Sequence, residues 1–198
     1  YQDTLTSLVA SHFDSNKFNL AGKNLHIGVY NKSKGEYRTM SGNNDLMEYL
    51  CASASVPGVF PARNISGDMY VDGAIRHIIP VVEIMEWCDQ NAGMDKNLDI
   101  MLCYPIVSYE QFKKTEYDTS RFKIINVVTD TVINMLWNNM VSDVQCLNDY
   151  FQTDIRTNNI FTCKSGRVRV FAPDVGYYAS FTSINSVQLQ KMFEHGKH

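Results

Sequence analysis

The sequence predicts a layered α/β fold, because segments with strand periodicity alternate along the chain with segments of helical periodicity. Of the 198 residues, 44% are hydrophobic and 20% are charged, which is typical of a globular domain with a substantial core. Neither an internal repeat nor a low-complexity linker interrupts the pattern. We therefore predict a single domain over residues 1–198.

The first half of the chain predicts three strands and one helix. NLHIGVYNKSKGEYRTM (24–40) predicts two strands joined by the polar turn NKSKG, since apolar residues recur at every second position of the first. NNDLMEYLCASAS (43–55) predicts a helix with Asn44 or Asp45 as its N-cap. DMYVDG (68–73) then predicts a short strand that ends at an acidic residue.

The second half of the chain predicts two strands and three helices. Pro80 suits the first turn of a helix, where its missing N–H is not needed, and Gly93 can close that helix. The near-continuous apolar run LDIMLCYPIV predicts a buried strand. The predicted strands cover 98–107 and 167–173, and the predicted helices cover 80–92, 121–148 and 184–196.

The long predicted helix over 121–148 carries an apolar stripe at helical spacing. Met135, Trp137 and Met140 on this helix could line a groove for an acyl chain, since methionine adapts to irregular apolar ligands. The general preference of such residues for the interior favours a place in the core instead. The stripe consists of Ile125, Val128, Val132, Leu136, Met140, Val144 and Leu147.

Charge and motif content exclude several classes of protein. The net charge of −3 and the pI of about 5.9 give no basic field for nucleic acid, and no apolar stretch is long enough to span a membrane. The N-terminal residues do not have the layout of a signal peptide. The sequence contains neither GxxxxGK[ST] nor GxGxxG, so nucleotide binding has no support.

The cysteines and histidines point to a reduced protein without a metal. Five cysteines, an odd number with no CxxC pair, argue against a disulfide framework and a zinc ribbon. The five histidines form no HExxH motif, so no metal ligand set is visible. We therefore expect no metal, no organic cofactor and a reducing compartment, with a cytoplasmic location that includes peripheral contact with membranes.

Asp72 is the acidic residue that most invites a functional interpretation. It lies in MYVDGAIRHIIPVV (69–82), between an apolar run and a glycine. An isolated Asp-Gly pair is usually a turn, because Gly accepts positive φ and Asp bonds to the nearby backbone. A stronger interpretation therefore depends on the surrounding sequence.

Two blocks in this region resemble the patatin-like phospholipase family, which are serine lipid acyl hydrolases with a Ser–Asp dyad. ASASVPGVFP (52–61) matches the ASxSxPGxFP-like block, and VDGAIRHIIPV (71–81) matches the DG[GA] block that follows it. The order of elements resembles the family over nearly the whole chain, although the specific residues lie within 49–81. The resemblance implies a three-layer α/β/α sandwich, with strands near 25–30, 68–72, 98–104 and 167–171 in one sheet.

The resemblance also implies roles for three residues. Asp72 would be the acid of the dyad, Gly73 would let the backbone turn tightly beside it, and Ala74 would complete the motif. A carboxylate is a weak base, so this role needs a partly desolvated site that raises its proton affinity. The implied reaction is hydrolysis of a carboxylic ester of a phospholipid or lysophospholipid at a membrane interface, through an acyl-serine intermediate and without a cofactor.

The chain departs from the family in lacking a GxSxG nucleophile elbow and a glycine-rich oxyanion loop. We expect these elements upstream of residue 1 or on a complementary chain, so that residues 1–198 form the C-terminal, Asp-bearing portion of an incomplete sandwich. Alternatively, the chain is a non-catalytic remnant that acts as a structural or interaction module. Either interpretation predicts a partner, because an incomplete sheet exposes strand edges.

Three further residues are alternative candidates for catalysis. His77 follows the acid by five residues and could form a triad, although an isolated histidine near a helix start is more often a packing residue. Ser53 and Ser55 could be nucleophiles. The favoured interpretation for both serines is a helix end of small residues that packs under the site.

Overall fold

In the computed structural model, helices and strands combine in an α/β fold, which confirms the predicted class. The strands are β1 (His26–Asn31), β2 (Glu36–Ser41), β3 (Arg63–Ile65), β4 (Asp68–Asp72), β5 (Leu98–Met101), β6 (Ile160–Cys163) and β7 (Gly166–Phe171). The helices are α1 (Gln2–His12), α2 (Leu46–Ser53), α3 (Val81–Gln90) and α4 (Ile124–Phe151), with a 3-10 turn at Gly73–Ile75. The described residues are 2–14, 25–41, 45–58, 60–102, 124–173, 190 and 194.

The first of two compact units comprises residues 1–80 and 123–143 and contains a four-stranded sheet. Its order is β2-β1-β4-β3, and every neighbouring pair is antiparallel. The predicted hairpin over 24–40 is confirmed as β1 and β2 around a polar turn, and the short strand before the acid is confirmed as β4. Helix α2 packs on this sheet, and the buried cluster consists of Ile27, Val29, Leu46, Ala52, Ile65 and Tyr70.

The second unit comprises residues 81–122 and 144–198 and contains a three-stranded sheet of order β5-β7-β6. β5 and β7 run parallel, while β6 and β7 form an antiparallel hairpin. The expectation of a single sheet holding β1, β4, β5 and β7 is therefore wrong for the described residues. Alternation identified the strands, but it carries no information on which strands pair. The three-layer arrangement and the single domain stay predictions.

Local details of two predicted elements differ in the structure. Asp45 precedes α2 with φ 58° and makes no side-chain cap bond, because this left-handed backbone does not present the carboxylate to the helix N–H groups. β5 is half-buried rather than fully buried: Ile100 is buried, but Met101 is exposed. Asn44, residues 103–107 and most of the predicted closing helix (184–196) lie outside the described residues.

Helix α4 confirms the long helical prediction and most of its apolar stripe. The stripe residues whose side chains are buried are Leu136, Met140, Val144 and Leu147. Trp137 and Met140 are buried and Met135 is half-buried, which favours the core interpretation over an acyl groove for the first two. None of the helices among the described residues has the length and apolar character needed to cross a membrane. The sequence did not predict α1, β3 or β6, which are short or lack strong periodicity.

Candidate active site

Asp72 is the last residue of β4, where the strand gives way to the 3-10 turn. Its position is set by backbone pairing: Asp72 is in register with Val29 of β1, and its N–H donates to the carbonyl oxygen of Ser55 at 3.1 Å. Its own carboxylate oxygen Oδ1 accepts the N–H of Ala74 at 2.9 Å, which caps the turn. The turn reading and the functional reading are therefore compatible, because one carboxylate oxygen is enough to cap the turn.

The electrostatic setting of Asp72 makes it an unusually basic carboxylate. Burial raises the pKa of Asp72 from 3.8 to about 6, against a smaller lowering by the hydrogen bond from Ala74. None of the hydrogen bonds found among the described residues ends on its other oxygen, Oδ2. The residue thus has a raised proton affinity and one carboxylate oxygen available to accept a proton.

Gly73 is a glycine because of a close backbone approach. A Cβ atom at this position would lie 2.6 Å from the carbonyl carbon of Gly28 and 3.0 Å from Cε2 of Tyr37. Continuing the register of β1 and β4 places Gly73 opposite Gly28, so two glycines face each other beneath the Tyr37 ring. Gly73 lies outside the left-handed region, so steric room and not positive φ is what requires glycine here.

Ser53 and Ser55 both use their hydroxyl groups within the scaffold. Ser53 Oγ donates to the carbonyl oxygen of Gly28 at 2.9 Å, and the buried Ser55 Oγ donates to the carbonyl oxygen of Cys51 at 2.8 Å. These contacts tie the end of α2 to β1 and, through the Ser55 carbonyl, to Asp72. The geometry agrees with their interpretation as supporting residues beneath the site.

The side chain of His77 contacts the carboxylate of Asp143, an acid other than Asp72. Its Nδ1 lies 2.7 Å from Oδ1 of Asp143, and its ring stands edge-on to that of Tyr37 at a centroid distance of 5.0 Å. Asp143 is on helix α4 and is only 2% exposed. Its second oxygen, Oδ2, accepts the backbone N–H groups of Ile78 at 2.7 Å and Ile79 at 3.0 Å. One buried carboxylate thus holds the segment that follows the turn at three points.

A second residue of α4 holds the turn itself. Asn139 lies one helical turn before Asp143, and its Nδ2 donates to the carbonyl oxygen of Ala74 at 2.9 Å. We call Asn139 and Asp143 the α4 clamp. Neither residue was predicted from the sequence, although both interrupt the predicted apolar face of α4. A polar residue inside a buried stripe is a signal for a satisfied internal contact.

Metal binding has no visible ligand set in this region. Across the part of the chain that the structure describes, no three side chains of His, Cys, Asp or Glu are grouped so that they could hold an ion. The described residues of the site are one carboxylate, a turn and the side chains that support the turn. This class of site, a lone acid at the end of a strand, can act as a proton acceptor for a nucleophile brought to it.

Comparison with known proteins connects this site with one family. Residues 2–85 match the family model of the patatin-like phospholipases. The resemblance is thus confirmed over a segment that holds α1, α2, β1 to β4 and the Asp72 turn, which is less than half of the chain. A search among curated proteins found no match to the chain. The match over this segment suggests a relation to the lipid acyl hydrolases.

Proposed function

We propose that this chain supplies Asp72 as the general base of a Ser–Asp dyad in a lipid acyl hydrolase. The observation that carries the proposal is the carboxylate of Asp72: it is half-buried, burial raises its pKa to about 6, and Oδ2 accepts none of the hydrogen bonds found among the described residues. A serine hydroxyl is a poor nucleophile until a positioned base takes its proton. A carboxylate with a pKa near 6 does this better than an ordinary one and is still ionised at neutral pH.

The proposed reaction has two steps. Asp72 Oδ2 accepts the serine proton while the serine oxygen attacks the ester carbonyl carbon, and the alcohol leaves with that proton as the acyl-serine forms. Water then attacks the acyl-serine, Asp72 accepts a proton from it, and the fatty acid leaves as the serine takes the proton back. Ala74 N–H on Oδ1 keeps the carboxylate oriented through both steps.

The nucleophile and the substrate complete the proposal. No serine within residues 1–198 lies in a GxSxG elbow, so the serine and the oxyanion donors come from an upstream segment or a complementary chain. The substrate is a phospholipid or another acyl ester at a membrane interface. We place the reaction in the cytoplasm, since the four described cysteines, Cys51, Cys88, Cys146 and Cys163, are free thiols.

The proposal is tested by comparing two matched substitutions in the full-length gene product. Asp72→Asn keeps the shape and the cap but removes the base, so hydrolysis of phospholipid vesicles should fall on the order of 10³-fold or more in kcat. Asp68→Asn makes the same chemical change at the other end of β4, where Asp68 pairs with the exposed Lys34 at 2.6 Å. That control should retain its activity.

A fluorophosphonate probe, which labels activated serines, adds a readout that does not depend on the substrate. The labelled serine should lie in a GxSxG segment outside residues 1–198, and Asp72→Asn should slow its labelling. Full activity of Asp72→Asn would return Asp72 to a turn residue. Absence of both activity and labelling in the full-length product would instead support the non-catalytic module.

A further inference from the structure

We propose that Cys163 and Cys88 form a peroxide-reactive thiol pair that closes into a reversible disulfide. The two sulfur atoms lie 4.0 Å apart in the folded chain, although 75 residues separate them in the sequence. Cys163 ends β6 and is half-buried, whereas Cys88 is fully buried in the last turn of α3. A disulfide needs a sulfur separation of about 2.05 Å, so the two sulfurs must approach each other by about 2 Å for the bond to form.

The hairpin between β6 and β7 holds Cys163 at this distance. The tip residues Lys164 and Ser165 accept hydrogen bonds at their carbonyl oxygens from the N–H groups of Gly93 at 2.8 Å and Lys96 at 2.6 Å. Both donors lie within six residues of the end of α3, so the loop that follows the Cys88 helix also fixes the hairpin. A Cβ atom on Gly166 would lie 1.9 Å from the carbonyl oxygen of Lys96, which shows how closely the two segments approach.

The surroundings of the two sulfurs give them different chemical roles. Burial opposes ionisation of Cys163, but hydrogen bonds from the Ser165 hydroxyl, from the backbone of Ser165 and Gly166, and from Cys88 lower the pKa of Cys163 on balance. The Ser165 hydroxyl lies 3.0 Å from its sulfur. Burial raises the pKa of Cys88. Cys163 is therefore the thiolate that reacts first, and Cys88 is the thiol that resolves it.

The proposed chemistry balances with hydrogen peroxide as the oxidant. The Cys163 thiolate attacks one peroxide oxygen, the O–O bond breaks, and a sulfenic acid and hydroxide form. The Cys88 sulfur then attacks the sulfenic sulfur, the S–O bond breaks, and the hydroxyl leaves as water with the proton of the Cys88 thiol. The two sulfurs are oxidised together by two electrons while the peroxide is reduced. A dithiol reductant reverses the bond.

The test is peptide mapping of the folded chain after brief treatment with dilute hydrogen peroxide. Trypsin should release peptide 77–96, which carries Cys88, joined to peptide 157–164, which carries Cys163, and dithiothreitol should separate them. Cys88→Ser should stop the reaction at the sulfenic acid, which dimedone traps on Cys163. Cys146→Ser is the matched control, since Cys146 contacts Met85 and not this pair, and it should form the same linked peptides.

A second measurement keeps the proposal testable if Cys88→Ser does not fold. Limited alkylation of the native wild-type chain with iodoacetamide should modify Cys163 before Cys51, Cys88 and Cys146, and unfolding in urea should abolish that order. The proposal is overturned if peroxide joins Cys163 to a different cysteine, if no linked peptides form in the folded wild type, or if Cys51, Cys88 or Cys146 is alkylated before Cys163.

Discussion

At the scale of single residues, Asp72 shows how a structural role and a chemical role divide between two oxygen atoms. Oδ1 accepts the Ala74 N–H and caps the turn, while Oδ2 accepts none of the hydrogen bonds found among the described residues. Burial of the carboxylate raises the pKa of Asp72 to about 6. The capping bond needs only an acceptor and would survive replacement by an amide. A simple Asp-Gly turn does not require the pKa of its aspartate to be raised.

The raised pKa predicts that Asp72→Asn stabilises the protein at neutral pH. The folded pKa of about 6 exceeds the ordinary 3.8, so the folded state binds the proton more tightly and ionised Asp72 lowers the free energy of unfolding above that pH. We expect a gain of about 1–3 kcal/mol at pH 7 that disappears near pH 4. Urea unfolding at both pH values measures it.

Asp68→Asn provides the opposite control for this pH dependence. The hydrogen bonds from Lys34 and Asn31 lower the pKa of Asp68, so its contribution to stability is present at neutral pH and lost as the pH falls. Asp68→Asn should therefore not raise the free energy of unfolding at pH 7. Equal effects of the two substitutions would show that the setting of Asp72 is not special.

The same pKa predicts the pH profile of the proposed hydrolase. Asp72 must be ionised to accept the serine proton, so kcat/KM should rise with pH through about 6 and level off above it. Steady-state rates on phospholipid vesicles between pH 4 and 9 measure this profile for the full-length gene product. A profile that stays flat through pH 6 would argue against Asp72 as the base.

The close backbone approach at Gly73 predicts that Gly73→Ala destabilises the protein more than Gly28→Ala does. A new Cβ at Gly73 meets backbone atoms of Gly28 at 2.6 Å, which cannot move without distorting β1, so Gly73→Ala should cost about 2–3 kcal/mol of stability. A Cβ at Gly28 meets the Tyr37 hydroxyl at 2.4 Å, the end of a side chain that can shift. Gly28→Ala should therefore cost less in the same urea titration. The reverse order would contradict this account.

At the scale of elements, α4 determines the conformation of the segment after Asp72. Asp143→Ala leaves three hydrogen-bonding groups unpaired, those of His77, Ile78 and Ile79, and should destabilise the protein by roughly 2–4 kcal/mol. Asn139→Ala removes one bond to Ala74 and should cost about 1 kcal/mol. Both should also lower kcat. Ser142→Ala, an exposed neighbour on α4, should change neither property in thermal melts and vesicle assays.

The elements show what local sequence can and cannot predict. The position of Asp72 at a strand end was readable because alternation and the Asp-Gly turn are local patterns. The α4 clamp could not be predicted in this way, because Asn139 and Asp143 act on residues 64 positions or more away. The prediction of strand pairing failed for the same reason, because the parallel contact between β5 and β7 joins segments 70 residues apart. Such choices are made by tertiary packing, not by periodicity.

At the scale of the whole molecule, the absence of a nucleophile elbow predicts the behaviour of the isolated chain. Residues 1–198 contain no GxSxG, so the chain alone should neither hydrolyse short acyl esters nor react with fluorophosphonate. Turnover well above the uncatalysed rate, abolished by Ser53→Ala or Ser55→Ala, would place the nucleophile within this chain. Those serines donate to backbone carbonyls in the folded state, which makes them poor candidates.

The α4 clamp also bears on the order in which the site can form during synthesis. The segment that matches the family model ends at residue 85, but the residues that fasten the Asp72 turn come more than fifty positions later. A nascent chain can pair β1 with β4 long before Asn139 and Asp143 leave the ribosome. Asp72 would then lie at the end of β4 before the turn after it is held by hydrogen bonds. The proposed catalytic geometry would therefore form only when α4 packs against the turn. A ribosome stalled before residue 139 should therefore display a chain in which β1 and β4 are paired while the turn after β4, at Gly73–Ile75, is still open to proteases.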